Sequence, residues 1–370
     1  MRIAVVIAGP YPALRGSQVL VAQTVAALSQ CDHDVRVVSY GRRLADRPGF
    51  HPVRLPLNAL LLARLARVVW RERIDIIHAH NYEALLVGLL VGRVMDRPVV
   101  YHGHSAMEDE LPTYTRGPRR RVLLRRLGGW MDRAMPRCAD ASIAVTDQLA
   151  DRLRTHGARH VRCLEPVLAP GSLVGADPAP TVISPNVVAY AGNLDAYQDL
   201  TFLLDAFSRV REAFPDAILR LVTHPGAARV ADPLAGAGVE VVEASSWETA
   251  WAAVNDAAVV VSPREEGSGF PMKLLNYMAA GKAIVAREGA AKGLRDGETA
   301  RIVTGGPKAF ASAVMELLRD EEARDSLGCA ARHTASDPSR WAAHLQTLDE
   351  IYEGLAADRR RSAGAMRCTE

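Results

Sequence analysis

Residues 257–286 read AAVVVSPREEGSGFPMKLLNYMAAGKAIVA. The run at 257–263 is short and continuously apolar, as expected for a strand covered on both faces. A glycine-containing loop follows, then helical periodicity over 271–280, then a second apolar run at 282–286. Strand, helix and strand in that order predict one unit of a parallel, doubly wound sheet. Within the unit, Pro271 suits a first helical position and Gly281 a C-terminal cap. Lys273 falls in the predicted first turn and Asn276 three residues on, sharing a face, while Leu274, Leu275 and Met278 can face a core. Free amides at such a helix start, with a lysine beside them, form an anion site that a nucleoside diphosphate would use.

Outward from this unit the same alternation continues in both directions. Towards the N-terminus lie NVVAYAG, LTFLLDAFSRVREA, AILRLVT, VEVVEA and WETAWAAVND; towards the C-terminus lie RIVT and KAFASAVMELLRD. A separate series opens the chain: RIAVVIAG, a loop Gly16-Ser17-Gln18, the helical VLVAQTVAALSQ, DVRVVSY, a helix over 59–73, IDIIHAH, ALLVGLLVGRVM, RPVVYHGH, an arginine-rich helical stretch 116–137 and DASIAVT. Between the two series, residues 166–185 carry five prolines and two glycines and read as a linker. The expected organisation is α/β: a first Rossmann-like domain 1–168, a linker 169–186, a second Rossmann-like domain 187–340, a last helix 341–358 and a loose tail 359–370.

A chain of 370 residues is long enough for two such domains. No apolar run reaches the roughly 18–20 residues of a membrane-spanning helix. The opening MRIAVVIAGPYP lacks a small-residue cleavage pattern, and the five cysteines stand singly, so a cytoplasmic protein without disulfide frame or zinc ribbon is expected. The net charge of +3 conceals an asymmetry. Residues 1–170 hold 25 Arg against 15 Asp and Glu, a balance of +10; the remainder holds 20 basic against 27 acidic residues, a balance of −7. All four lysines, Lys273 among them, lie in the acidic half. The basic half is expected to face something anionic. Its 116–137 stretch has eight arginines and one acid, Asp132, interleaved with Val122, Leu123, Leu124, Leu127 and Trp130. Such a helix reads as a solvated face, as a seat for anionic membrane lipid, or as a contact for an acidic partner. No nucleic-acid module is evident.

The Gly269–Lys282 stretch, GFPMKLLNYMAAGK, resembles the donor-binding signature of the GT-B glycosyltransferases of the GT4 group. The resemblance spans nearly the whole chain: the Gly16-Ser17-Gln18 loop, the DIIHAHN and HG strand ends, the YAGNL opening of the second domain, the Arg295–Glu298 turn and the final Trp341…Tyr352 helix. It implies a GT-B fold, two Rossmann-like doubly wound parallel-sheet domains with the C-terminal helix returning to the first. It implies a retaining glycosyltransferase that moves a sugar from a nucleoside-diphosphate-sugar to a hydroxyl acceptor of glycolipid, polysaccharide or natural-product type, with no cofactor and no essential divalent metal. Such an enzyme would be cytoplasmic or peripheral at the inner face of the membrane.

Carried onto this sequence, the donor would meet Gly192, Asn193, Arg264, Ser268, Gly269, Phe270, Pro271, Met272, Lys273 and Asn276. The transferred sugar and acceptor would lie near His102, His104, Gly16, Ser17, Gln18 and Glu108, with His102 and Lys273 closest to the chemistry. Two departures stand out. The family's paired glutamates align with Ser268 and Asn276, and its diphosphate-clamping arginine and lysine align with Asn193 and Gln198. A non-catalytic nucleotide-sugar-binding partner that keeps the fold is therefore an alternative reading. So is a metal-dependent hydrolase, because His78/His80 and His102/His104 form two His-x-His pairs at predicted strand ends. Sugar-nucleotide epimerisation also uses this fold, but no acid–base set for it is evident.

Overall fold

In a computed structural model of the chain, residues 1–13, 16–41, 54–115, 117–170, 183–225, 238–265, 267 and 269–367 are described. They divide into two compact units. One comprises Met1–Ala169, Ser268–Phe270 and Ser339–Glu370; the other comprises Pro170–Gly267 and Pro271–Pro338. The proline-rich linker falls largely on 171–182, outside the described residues.

The first unit holds six strands: β1 (Arg2–Ile7), β2 (Asp34–Val38), β3 (Ile76–His80), β4 (Val99–Gly103), β5 (Ala141–Ala144) and β6 (Val161–Cys163). They pair in the order β2-β1-β3-β4-β5-β6, every pair parallel. Strands β3, β4 and β5 are buried at every position, as continuous apolar runs require when helices cover both faces. The strand order reverses between β1 and β3, and in open parallel sheets the crevice at such a reversal is where ligands bind.

The last helix, Pro338–Arg367, belongs to this unit from Ser339 onward. Trp341, Leu348, Ile351, Tyr352 and Leu355 pack into one core with Ile3, Val5 and Ile7. Burying a Leu or Ile side chain contributes about 1.5–3 kcal/mol, so this row of side chains is a substantial part of the unit's stability. The indole of Trp341 also donates to Oε1 of Gln30 at 2.8 Å. Helix continues to Arg367, where a loose tail was expected from 359. At Arg359 the guanidinium meets Asp96 at 2.7 Å, a solvent-exposed ion pair that contributes about 0–1 kcal/mol.

The second unit repeats the plan with β7 (Ser184–Ala191), β8 (Ile218–Thr223), β9 (Val239–Glu243), β10 (Ala257–Ser262), β11 (Ala283–Arg287) and β12 (Arg301–Val303). Their order is β12-β11-β10-β7-β8-β9, all parallel. Here the reversal lies between β7 and β10, and those two strands lead into Gly192 and into the loop before Lys273.

Three local expectations need correction. Gly16, Ser17 and Gln18 are the first turn of a helix, Gly16–Gln30, and not a free loop. The helix that follows β10 begins at Lys273 and runs to Ala279, so Pro271 precedes it by two residues instead of opening it. At its far end Gly281 does adopt the left-handed conformation, φ +64°, that a helix exit demands. The arginine-rich stretch is a helix over Pro118–Ala134, with a separate short turn at Pro136–Cys138. Pro136 lacks an N–H, so it cannot extend the α-helical hydrogen-bond ladder.

Candidate functional site

The second unit's strand ends build a polar cluster around Lys273. The buried Tyr190, near the end of β7, donates its hydroxyl to the Asn193 carbonyl at 2.6 Å. That bond folds the 192–198 segment back over the strand end. The Asn193 side-chain amide donates to Asp195 Oδ2 at 2.6 Å and to the Tyr197 hydroxyl at 2.7 Å. Gln198 Nε2 donates to Asn193 Oδ1 at 2.9 Å, and Gln198 Oε1 accepts from Lys273 Nζ at 2.7 Å. The lysine nitrogen also sits 4.0 Å from the centre of the Tyr190 ring, a cation–π position.

Gly192 completes this arrangement. Its φ of +152° is one that L side chains rarely adopt, and a Cβ there would stand 3.1 Å from the Tyr190 hydroxyl and 3.3 Å from Lys273 Nζ. The missing side chain is thus what leaves room for the ammonium. Burial, reinforced by the nearby Arg264 guanidinium, pulls the Lys273 pKa well below its usual 10.5. A half-buried lysine whose described hydrogen-bond partner is an amide oxygen is less well compensated than one facing a carboxylate. Chemically, the cluster is suited to receive an anion.

The other candidates of this unit take the following places. Arg264 stacks over the Tyr197 ring with its guanidinium carbon 5.4 Å from the centroid. Asn276 lies partly exposed one turn on from Lys273. Pro271 is buried and Met272 half-buried, just before the helix. Gly269 and Phe270 group with the first unit, where a Cβ on Gly269 would come within 2.6 Å of the His104 carbonyl oxygen. Ser268 is outside the described residues.

The first unit gathers all four candidate histidines. Parallel register sets His80 opposite His102, and the two-residue strand period puts His78 on the same side as His80. His78, His80 and His102 are each 1% exposed or less. His78 Nε2 and His102 Nδ1 are 3.0 Å apart, and His80 Nδ1 and His104 Nε2 are 2.9 Å apart. The remaining nitrogen of His78, Nδ1, is hydrogen-bonded to the Tyr352 hydroxyl of the last helix. Nε2 of His80 and Nε2 of His102 are buried with no protein partner among the described residues. Burial chiefly, and the mutual repulsion of imidazolium charges, holds the cluster neutral: the pKa of His78 is pushed down to about 3, and His80 and His102 also move down.

One nitrogen from each of His78, His80 and His102 lies within 4.8 Å of the others, a spacing that admits a metal ion. Ring geometry argues against it. His78 and His80 stack at 4.6 Å with planes only 10° apart, so their in-plane lone pairs run parallel instead of converging.

Gln18 is buried, with its Nε2 3.3 Å from where a Cβ on Gly9 would lie, and Ser17 donates to its Oε1 at 2.8 Å. Gly16 opens the same helix. Glu108 belongs to a single turn, Met107–Glu110, and its carboxylate leans on Gly129 of the arginine-rich helix. Composition gave no hint of Asp132 as a partner of this turn. Its carboxylate, 1% exposed, accepts from the Tyr82 hydroxyl at 2.5 Å and from the backbone amides of Met107 and Glu108 at 2.8 and 3.0 Å. Tyr277, in the sequence one position of a helical run, accepts from Ala191 N at 2.7 Å through its hydroxyl and ties the lysine helix to the end of β7.

The arginine-rich helix itself buries only Gly128, Gly129 and Asp132. Val122, Leu123, Leu127 and Trp130 are exposed among the arginines, as are Leu55 and Trp70 on the helix Arg54–Arg71. Among the described residues no helix is long and apolar enough to cross a membrane.

Comparison with known proteins bears on this geometry. Residues 14–165 match the family described as Glycosyltransferase Family 4, and residues 185–320 match Glycosyl transferases group 1. The chain is 25% identical over 350 residues to a phosphatidyl-myo-inositol mannosyltransferase of Mycobacterium leprae, covering 90% of this chain and 89% of that protein. Among solved structures, the sucrose-phosphate synthase of Thermosynechococcus elongatus superposes with a TM-score of 0.75 at 18% identity, over 96% of this chain and 99% of that one. Anabaena HepE, solved in complex with UDP-glucose, gives a TM-score of 0.67 at 16% identity, over 96% and 100% of the two chains.

Proposed function

From a chain that belongs to the GT4 group of GT-B glycosyltransferases, we propose a retaining enzyme that transfers a sugar from a nucleoside-diphosphate-sugar to a hydroxyl of a lipid-borne acceptor. The observation that carries the donor half is the Lys273 cluster. A half-buried ammonium, given space by Gly192 and held by Gln198, would meet the diphosphate at the sheet's reversal point. There it would neutralise the charge that develops as the diphosphate departs. In this reading the ammonium takes the place that a divalent metal would otherwise fill beside the departing diphosphate. Asn276, one turn along, would hydrogen-bond the donor's ribose. His102 would face the transferred sugar, and Glu108 and the 16–18 turn would lie on the acceptor side.

Two observations support the lipid-borne acceptor. The first unit carries the +10 charge balance and displays arginines interleaved with exposed Leu and Trp on Pro118–Ala134, as a helix lying on anionic headgroups would. The mycobacterial relative, besides, is named for a phosphatidyl-myo-inositol substrate.

The test is calorimetry with a panel of nucleoside diphosphates and their sugars, followed by turnover with the donor that binds. Wild type is expected to bind one nucleotide class. Lys273→Met is expected to lose roughly 100-fold in turnover, the scale of one charge-stabilising group. An unchanged rate would remove the proposed donor geometry. One observation favours a second reading, a non-catalytic nucleotide-sugar binder: Asn193 and Gln198 stand where the family carries a cation pair, and both are tied into an amide network. Tight donor binding with no transfer to any acceptor, and no donor hydrolysis, would select it.

A further inference from the structure

The histidine cluster contains a chain of hydrogen bonds whose direction is set by chemistry. A neutral imidazole has one N–H and one lone pair, so it donates through one nitrogen and accepts through the other. His78 uses both, Nδ1 with the Tyr352 hydroxyl and Nε2 with His102 Nδ1. Only two arrangements are consistent. In one, Tyr352 donates and every proton along the chain points towards His102. In the other, His102 donates, His78 relays, and Tyr352 accepts. A phenol O–H is the stronger donor and an imidazole nitrogen the stronger acceptor, which selects the first.

We propose that Tyr352 and His78 are positioning residues: Tyr352 O–H donates to His78 Nδ1, His78 Nε2–H donates to His102 Nδ1, and His102 is thereby held with its proton on Nε2. That nitrogen is fully buried and has no protein partner among the described residues, so it stands ready as a hydrogen-bond donor. Resting on the reading of His102 as the sugar-facing residue, its ligand is an oxygen of the transferred sugar. The last helix then has a second task. Besides covering the core it delivers, across 274 residues of sequence, the hydroxyl that selects the tautomer of a strand-end histidine. The depressed pKa of His78, about 3, agrees with this, because a protonated ring would have no lone pair to accept the phenol.

The experiment is long-range proton–nitrogen NMR of the full chain labelled with 15N-histidine, with signals assigned through His78→Asn and His102→Asn. Wild type is expected to show His78 and His102 both protonated on Nε2. Tyr352→Phe, which keeps the ring and removes the hydroxyl, is expected to give His102 a second population protonated on Nδ1. With the nucleotide sugar that calorimetry selects, the same variant should lose roughly tenfold in kcat. Its KM should stay within about threefold, since uniform binding is untouched. A wild-type His102 protonated on Nδ1 would overturn the proposal, and needs no variant to fold. So would a His102 tautomer unchanged by Tyr352→Phe, or one equivalent of zinc bound by the imidazoles of the purified chain. Failure of the donor reading looks different: no nucleotide sugar binds wild type, while the tautomer measurement still reports on the chain.

Discussion

Replacing Asp132, the buried acid of the arginine-rich helix, should destabilise the first unit strongly. The carboxylate closes three donors at once: the Tyr82 hydroxyl and the Met107 amide on Oδ1, and the Glu108 amide on Oδ2. Asp132→Ala leaves all three without it. A hydrogen bond to a charged group is worth about 1.5–3 kcal/mol, and an orphaned buried donor costs a similar amount. Water can reach the two half-buried amides, so the three do not add in full, and a total of about 4 kcal/mol is expected. Asp132→Asn keeps an oxygen for Tyr82 and Met107 but turns an NH2 towards the Glu108 amide; its cost should be about 2 kcal/mol. At roughly 2–4 °C per kcal/mol for a unit of this size, the alanine variant should lower its melting point by about 8–16 °C. Because a chain with two units need not unfold in one step, the assay is urea unfolding followed by hydrogen exchange on peptides of residues 76–155. An alanine variant within 1 kcal/mol of wild type, or an asparagine variant as damaged as alanine, would refute the accounting.

Gly192→Ala should leave the fold intact but push the Lys273 ammonium from its place, since the new Cβ would stand 3.3 Å from Nζ. Nucleoside-diphosphate affinity by calorimetry should drop roughly tenfold, about 1.4 kcal/mol, and a wild-type Kd would count against the site. Acid should be unusually damaging to stability. His78 and His104 fall to about 3 and His344 to about 4, below the 6.5 of an unfolded chain. Between those values the unfolded state binds more protons, so stability is complete above pH 6.5 and is lost as pH falls towards 3. Each histidine contributes a slope of about 1.4 kcal/mol per pH unit, and melting temperatures that stay flat from pH 7 to pH 4.5 would contradict it. Replacing Arg119, Arg120, Arg125 and Arg126 by Ala should weaken flotation with anionic vesicles by roughly fivefold per arginine, at about 1 kcal/mol each, more strongly at low salt. Binding that ignores both salt and the substitutions would exclude this helix as the membrane seat.

What could be read from the chain alone rests on short-range patterns. Apolar runs of strand length alternating with helical periodicity depend only on neighbouring residues, and they specify two parallel doubly wound sheets without reference to any long-range contact. Charge balance by halves is similarly local, and it singled out residues 116–137. The site was legible as residue types at strand ends: the histidines of IDIIHAH and RPVVYHGH, and the lysine after GFPM. Their bonding was not. Pattern reading assigns a residue to a face, but hydrogen bonds are made between side chains brought together by distant segments. Asp132 reads as a lone acid in a basic helix until the turn at Met107 lies against it. Gln198 reads as a lost cation until Lys273 is found 2.7 Å away, 75 residues further on. Tyr352 reads as one more apolar position of the last helix, and only the return of that helix to the sheet turns its hydroxyl into a partner of His78. Sequence thus determined where strands and helices form, because those are local free energies. Which polar groups satisfy one another was decided by the tertiary structure, because burial penalises an unpaired group wherever in the chain its partner lies.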